Sequence, residues 1–284
     1  MKKNVLPDIG TVRPKRSRSC RAALSAAVLA AMVFSRPQPA SAGPAENTKF
    51  IRKIYLDILS REPTSSEVTW DLAVMAGGTT RASLVSSFFG GSEFQTGYVE
   101  GEYLYYLQRF PTAPELSAEL GLVNASSNYL ASEARLASST EYFVNAGSTN
   151  VSFVDQLYQD ILYRAPSPAD ESYWAGRLTS GTSRNSVASS MLRSGEAAHR
   201  RVAGSSDSAC NPDYLSSDLE GLKGGSYCVI LNRIADPSGS TYWTNSLASS
   251  GQVPSLWSAL MGSTEYYNLA QALGPPAPPG PTGD

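Results

Sequence analysis

Apolar positions recur along most of this chain with the period of an α-helix. Ile51, Ile54, Tyr55, Ile58 and Leu59, preceded by Phe50, follow the i, i+3, i+4, i+7, i+8 rule. Phe153, Val154, Leu157, Tyr158, Ile161 and Leu162 repeat it. Such spacing lays a wide apolar stripe along one helix face. Each stretch runs to an arginine, which is expected in the last turn. Pro63, Pro111 and Pro166 follow two residues later and disfavour further helix. A second helix is expected around Trp70, Tyr173-Trp174 and Tyr242-Trp243, closed by turns at Gly77-Gly78, Gly181 and Gly251. A third carries Leu84, Phe88 and Phe89, matched by Val187, Met191 and Leu192 and by Leu256, Leu260 and Met261. Few segments alternate with period two, so the pattern predicts an all-α protein.

Aligning the chain with itself gives this periodicity a longer repeat. Arg61, Arg109, Arg164 and Arg233 each follow a tyrosine by six residues: Tyr55, Tyr103, Tyr158 and Tyr227. Thirty-two residues after each arginine stands a glutamate: Glu93, Glu141, Glu196 and Glu265. Length varies only between these blocks, as in stacked supersecondary units whose connectors are free to grow. Four degenerate repeats of three to four short helices each are therefore expected, stacked on one another. They occupy 49–95, 96–145, 151–202 and 222–273, with a connector at 203–221 and a short linker at 43–48. The arginine would face a helix C-terminus and the glutamate the start of a fourth helix, capped by Ser92, Thr140 or Thr264. Joined, they would form one structural ion pair per repeat.

Residues 1–42 read as a signal peptide. A basic leader precedes an apolar run from Ala22 to Phe34, too short to span a bilayer comfortably, and Ala40-Ser41-Ala42 supplies a small-residue cleavage pattern. The leader holds eight of the 23 basic residues, so the remainder carries a net charge of about −9 where the whole chain shows −2. An acidic surface repels phosphate backbones, which argues against nucleic acid, and no stable membrane insertion is expected once the leader is removed. Cys210 and Cys228 are then an even pair in an oxidising compartment, read as a structural disulfide in preference to a metal pair or a catalytic thiol. Gly274 to Asp284 is a proline-rich segment expected to be a disordered tail.

The stretch from Phe153 to Arg164, then Pro166, Tyr173-Trp174 and Leu178, resembles the bacterial "domain of unknown function 4214" family. So does Tyr227 to Trp243, with Arg233, Asp236-Pro237 and Gly239, ending in Ser263-Thr264-Glu265-Tyr266. The first block matches with Trp70 one position early, and the second, which has no tryptophan, only by spacing. Tyr163 stands where the pattern usually has glycine, and Ala169-Asp170 where it has Asp and Gly. The resemblance implies helical modules of exported or surface proteins. It is similar in plan to the linker domains of cyanobacterial light-harvesting complexes, which implies an assembly role. It implies no catalytic residues.

No constellation with catalytic specificity accompanies these features. His199 is the chain's one histidine, and no nucleophile elbow, zinc-binding or phosphate-loop motif occurs. No catalytic residue, metal ligand or cofactor is expected. The recurring Tyr173, Trp174, Tyr242 and Trp243 are the candidate ligand platform, weighed against plain core packing. The expectation is a secreted or envelope-associated, non-catalytic scaffold for an unknown extracellular protein or cell-wall glycan. The alternative is a secreted hydrolase of polysaccharide or peptidoglycan, working through carboxylates in an inter-repeat groove.

Overall fold

The computed structural model describes residues 43–126, 129–204, 210 and 225–275. The leader, most of the connector and the tail beyond residue 275 lie outside the described residues. Among the described residues the chain is all α-helical, with no strand. The first helices are α1 (Pro44–Leu59), α2 (Ser65–Ala76), α3 (Arg81–Phe89) and α4 (Ser92–Leu107). Next come α5 (Ala113–Ser126), α6 (Tyr129–Leu136) and α7 (Thr140–Asn145). The third arginine belongs with α8 (Asn150–Leu162), α9 (Pro168–Thr179), α10 (Arg184–Leu192) and α11 (Gly195–Ala203). The last group is α12 (Ser226–Leu231), α13 (Pro237–Ser250), α14 (Val253–Met261) and α15 (Thr264–Ala270).

The apolar stripes become the core. Phe50, Ile51, Ile54, Phe153, Val154 and Leu157 are fully buried. The helices that carry them do not run to the arginine as the sequence suggested. Each stops two residues short, because Ser60, Gln108, Tyr163 and Asn232 turn left-handed, with φ between 52° and 56°. That residue folds the chain back, so the Arg61 amide donates to Tyr55 O and the Arg164 amide to Tyr158 O. The arginine thus leaves the helix, and its side chain lies beyond the C-terminus rather than along the last turn.

Two further boundaries differ from expectation. The expected boundary between the first two repeats, at residues 95 and 96, falls inside α4. That helix buries one unbroken face from Phe94 and Gln95 through Tyr98, Val99 and Tyr103 to Leu107, so nothing breaks it there. In the second half of the chain the corresponding stretch is divided into α11 and α12 by the cysteine-bearing connector. The capping residues also sit one position earlier than expected. Ser139 and Ser263 accept from the amides of Tyr142 and Tyr266, while Thr140 and Thr264 are the first helical residues and Gly91 precedes Ser92. A hydroxyl at the N-cap reaches the N3 amide, which the next residue cannot do.

The two halves make the same junctions. Tyr142, in α7, donates its hydroxyl to Asp160 Oδ2 of α8 at 2.7 Å. Tyr266, in α15, donates to Asp57 Oδ2 of α1 at 2.8 Å. Arg184 lies 4.3 Å over the Phe143 ring, and Arg81 lies 4.4 Å over the Tyr267 ring. The contact that joins α7 to α8 is therefore repeated between the last helix and the first, and the fold closes on itself. Lys49 Nζ donates to Gln271 O at 3.0 Å across the same seam. At the middle of the fold Glu133 accepts from the Tyr98 hydroxyl and from Arg201 Nη2, both at 2.8 Å, with the two charged side chains 3% and 8% exposed.

Candidate functional site

The four Arg–Glu pairs are formed, each two-pronged. Arg61 Nε and Nη2 donate to Glu93 Oε1 and Oε2 at 2.6 and 2.8 Å. Arg109 meets Glu141 at 2.7 Å on both prongs. Arg164 meets Glu196, and Arg233 meets Glu265, at 2.6 and 2.9 Å. The glutamate stands in the first turn of α4, α7, α11 or α15, where its charge also faces a helix N-terminus. Each guanidinium gives Nη1 to the carbonyl of the next residue: Glu62, Phe110, Ala165 or Ile234.

Two further groups complete this clasp. One is the tyrosine six residues before the arginine, whose recurrence the sequence shows but whose contact it does not. Arg61, Arg109, Arg164 and Arg233 lie over the rings of Tyr55, Tyr103, Tyr158 and Tyr227 at 5.0, 5.3, 4.9 and 5.1 Å, a cation–π arrangement. The other is a second carboxylate. Glu67 and Glu115 each take two hydrogen bonds from the arginine six residues before them, between 2.7 and 3.0 Å. In the third block Asp170 approaches Arg164 to 3.5 Å, and in the fourth Asp236, now the N-cap itself, stands 3.7 Å from Arg233. The signal was available, since Glu67, Glu115 and Asp170 hold the same place after their arginines. Gly239 takes that place in the fourth block, where the Tyr227 ring lies against α13 and leaves no room for a side chain.

The electrostatics follow from these contacts. Arg61 pulls the Glu67 carboxyl down to about 2, helped by the Thr64 amide, and Arg109 does the same for Glu115 with the Thr112 amide. Glu93, Glu141 and Glu196 are each held below the usual carboxylate range by the guanidinium they accept from. Carboxylates so held are ionised and saturated with donors. They are poor proton donors and poor nucleophiles at neutral pH.

The aromatic pairs divide into an inner and an outer member. Trp243 is 7% exposed, and Trp174 packs against the core with Nε1 donating to the Tyr158 hydroxyl at 3.2 Å. Tyr173 and Tyr242 face outward. The candidate platform of Tyr173, Trp174, Tyr242 and Trp243 is thus no continuous stacking surface, because helix phase turns each tryptophan inward. The same phase explains Trp70. It occupies the outward place of Tyr173 and is 71% exposed, while the buried Asp71 takes the inward place of Trp174. Tyr55 hydrogen-bonds Asp71, and burial pushes the Asp71 carboxyl up.

Cys210 and Cys228 form a disulfide that ties the connector to α12. Among the described residues no three His, Cys, Asp or Glu side chains gather to hold a metal ion. No helix there is long and apolar enough to cross a membrane.

Fold and clasp together define an all-α protein of helical blocks, each locked by an arginine between a tyrosine ring and carboxylates. The model of a domain of unknown function (DUF4214) matches residues 32–98 and 134–201, so these two stretches are similar to that family. The matched stretches end at Tyr98 and Arg201, which are 103 residues apart, as are Arg61 and Arg164. The family unit thus recurs in step with the two halves of the fold. No curated protein and no solved structure matches the chain.

Proposed function

We propose that the protein is an exported, envelope-associated scaffold that binds cell-wall glycan or an extracellular protein and carries out no catalysis. The observation that supports this reading is the state of the recurring glutamates. Each is engaged by two prongs of its own block's arginine. A hydrolase of the two-carboxylate kind needs acids that converge on a groove, one of them able to give up a proton. The clasp acids are spent instead on joining the end of one helix to the start of another. The apolar leader with its Ala40-Ser41-Ala42 pattern and the Cys210–Cys228 disulfide favour export. The closed arrangement of short helices offers a rigid body with many outward loops, suited to holding partners.

The test is retention. Protein secreted from a host expressing the full chain is incubated with purified cell walls and, separately, with the secreted proteins of the same host. Reproducible retention on walls, or a stoichiometric protein partner, is expected. Release of soluble wall fragments by the purified protein would overturn the reading.

A further inference from the structure

A cleft of about 500 Å3 opens between α3 and α14. Its walls include Ser83 and Ser86 from α3, Ser255 and Ser258 from α14, Gln252, and the buried ring of Phe89. None of its lining residues carries a charge. The volume lies within the range of small-molecule sites and suits one or two sugar rings.

Two independent features show that this opening is not demanded by the fold. The first is Ser258. Its side chain is nine-tenths buried and its hydroxyl has no hydrogen-bond partner. Buried hydroxyls are nearly always paired, so this one stands out as an unused donor and acceptor in the cleft wall. At the corresponding place on α6 the chain carries Ala134, which is also buried. Packing at that position is therefore satisfied without the oxygen. A single χ1 rotation between staggered wells redirects such a hydroxyl towards a ligand.

The second feature is a broken symmetry. The junction of α3 with α14 corresponds to that of α10 with α6. In the latter, Arg193 takes the place of Gly90, 103 residues earlier. Its guanidinium reaches the turn at Gly251, with Nη1 3.5 Å from the point where a Cβ on Gly251 would sit, and Leu130 Cδ1 lies 3.2 Å from the same point. One copy of the junction carries a long cation at the place where the other, with the cleft, has a glycine. Gly90 has ordinary right-handed geometry and nothing crowds its missing Cβ, so its smallness is not a backbone requirement.

The chemistry of the walls selects the ligand. Hydroxyls and an amide supply donors and acceptors, and Ala82, Pro254 and Ala259 supply apolar surface beside them. An ionic ligand would lose its hydration and find no counter-charge there. We propose that this cleft binds a neutral sugar residue, with Ser258 and its neighbouring serines hydrogen-bonding the ring hydroxyls. This inference rests on the glycan branch of the scaffold reading and narrows it to one place.

Saturation-transfer NMR on the full-chain protein with glucose, galactose and N-acetylglucosamine tests it. At least one sugar is expected to receive saturation. Gly90→Arg, which installs in this cleft the side chain that the counterpart junction carries, should weaken that sugar's affinity at least tenfold with an unchanged melting transition. Ser255→Trp, at an exposed position of α14, serves the same purpose if the first variant does not fold. Ser258→Ala should weaken binding at least threefold while leaving the fold as stable as before. The proposal is overturned if no sugar is saturated, if a Gly-Ser-Ala peptide is saturated in their place, or if the filled variants bind like the parent. Wall retention measured in parallel separates the two readings. Sugar binding without retention sinks the scaffold role alone, and retention without sugar binding sinks the cleft alone.

Discussion

Replacing Arg109 with methionine isolates the clasp, because the apolar stem stays over Tyr103 while the guanidinium is lost. Five hydrogen bonds disappear: two to Glu141, two to Glu115 and one to Phe110 O. The side chains involved are about one-third exposed, so solvent screens them and the full strength of charge-assisted bonds does not apply. Each two-pronged pair then contributes about 0.5–1 kcal/mol, and the carbonyl bond about 0.5 kcal/mol more. The expected loss is about 2 kcal/mol, or a fall in Tm of about 4–8 °C for a protein of this size. Calorimetry at pH 7 reads it directly. A pH series supplies the second check. The folded-state carboxyl of Glu115 is depressed to about 2 by Arg109, so the stability it contributes is present above the ordinary carboxylate range. That stability is lost as pH falls through the interval down to about 2. Arg109→Met should flatten this part of the profile. A variant that melts like the parent at pH 7 and keeps the same acid slope would refute the clasp as a source of stability.

Asp71→Asn should act in the opposite sense. Burial raises the folded-state carboxyl of Asp71, and its Oδ2 has no partner, so its ionised form opposes folding above the ordinary carboxylate range. The variant should gain about 1 kcal/mol at pH 7 and lose that advantage in acid; a Tm that drops at pH 7 would contradict the account. Arg201→Met removes the ion-pair partner of Glu133 in the middle of the fold and leaves the Tyr98 hydroxyl donating to it. It should cost about 3–5 kcal/mol, and adding Glu133→Gln should restore most of it. Urea melts that show the double variant as unstable as the single would refute an ion-pair origin of the loss.

What could be read from the residues and what could not divides along the range of the interaction. Helix periodicity and the 32-residue Arg–Glu spacing are local to a block, and both were legible. The arginine's exit from its helix was not, because Ser60, Gln108, Tyr163 and Asn232 share no residue type and none is glycine, the usual mark of a left-handed turn. The family pattern's glycine at the place of Tyr163 was the available hint. A one-residue slip in matching Trp70 to Trp174 hid a reversal of side: the inward place holds Asp71, and Trp70 points to solvent. The closure of the fold was invisible for a different reason. Asp57 and Tyr266 are 209 residues apart, and no local pattern announces their hydrogen bond.

Closure also changes where differences between the halves carry meaning. In an open stack the first and last blocks have free faces and would be expected to diverge there. Here α15 repeats against α1 the contacts that α7 makes against α8, so every junction has a counterpart and each mismatch has an internal control. Against that control the clasps vary little, with all four arginines on a tyrosine and a two-pronged glutamate. The departures concentrate elsewhere: the connector with Cys210 that splits α11 from α12, Asp71 in place of an inward tryptophan, and Gly90 in place of Arg193. Of these, Gly90 is the one that opens space beside an unpartnered buried hydroxyl. The repeated geometry of the clasps builds the frame, and Gly90→Arg tests whether its departure from its own repeat at Gly90 serves a ligand.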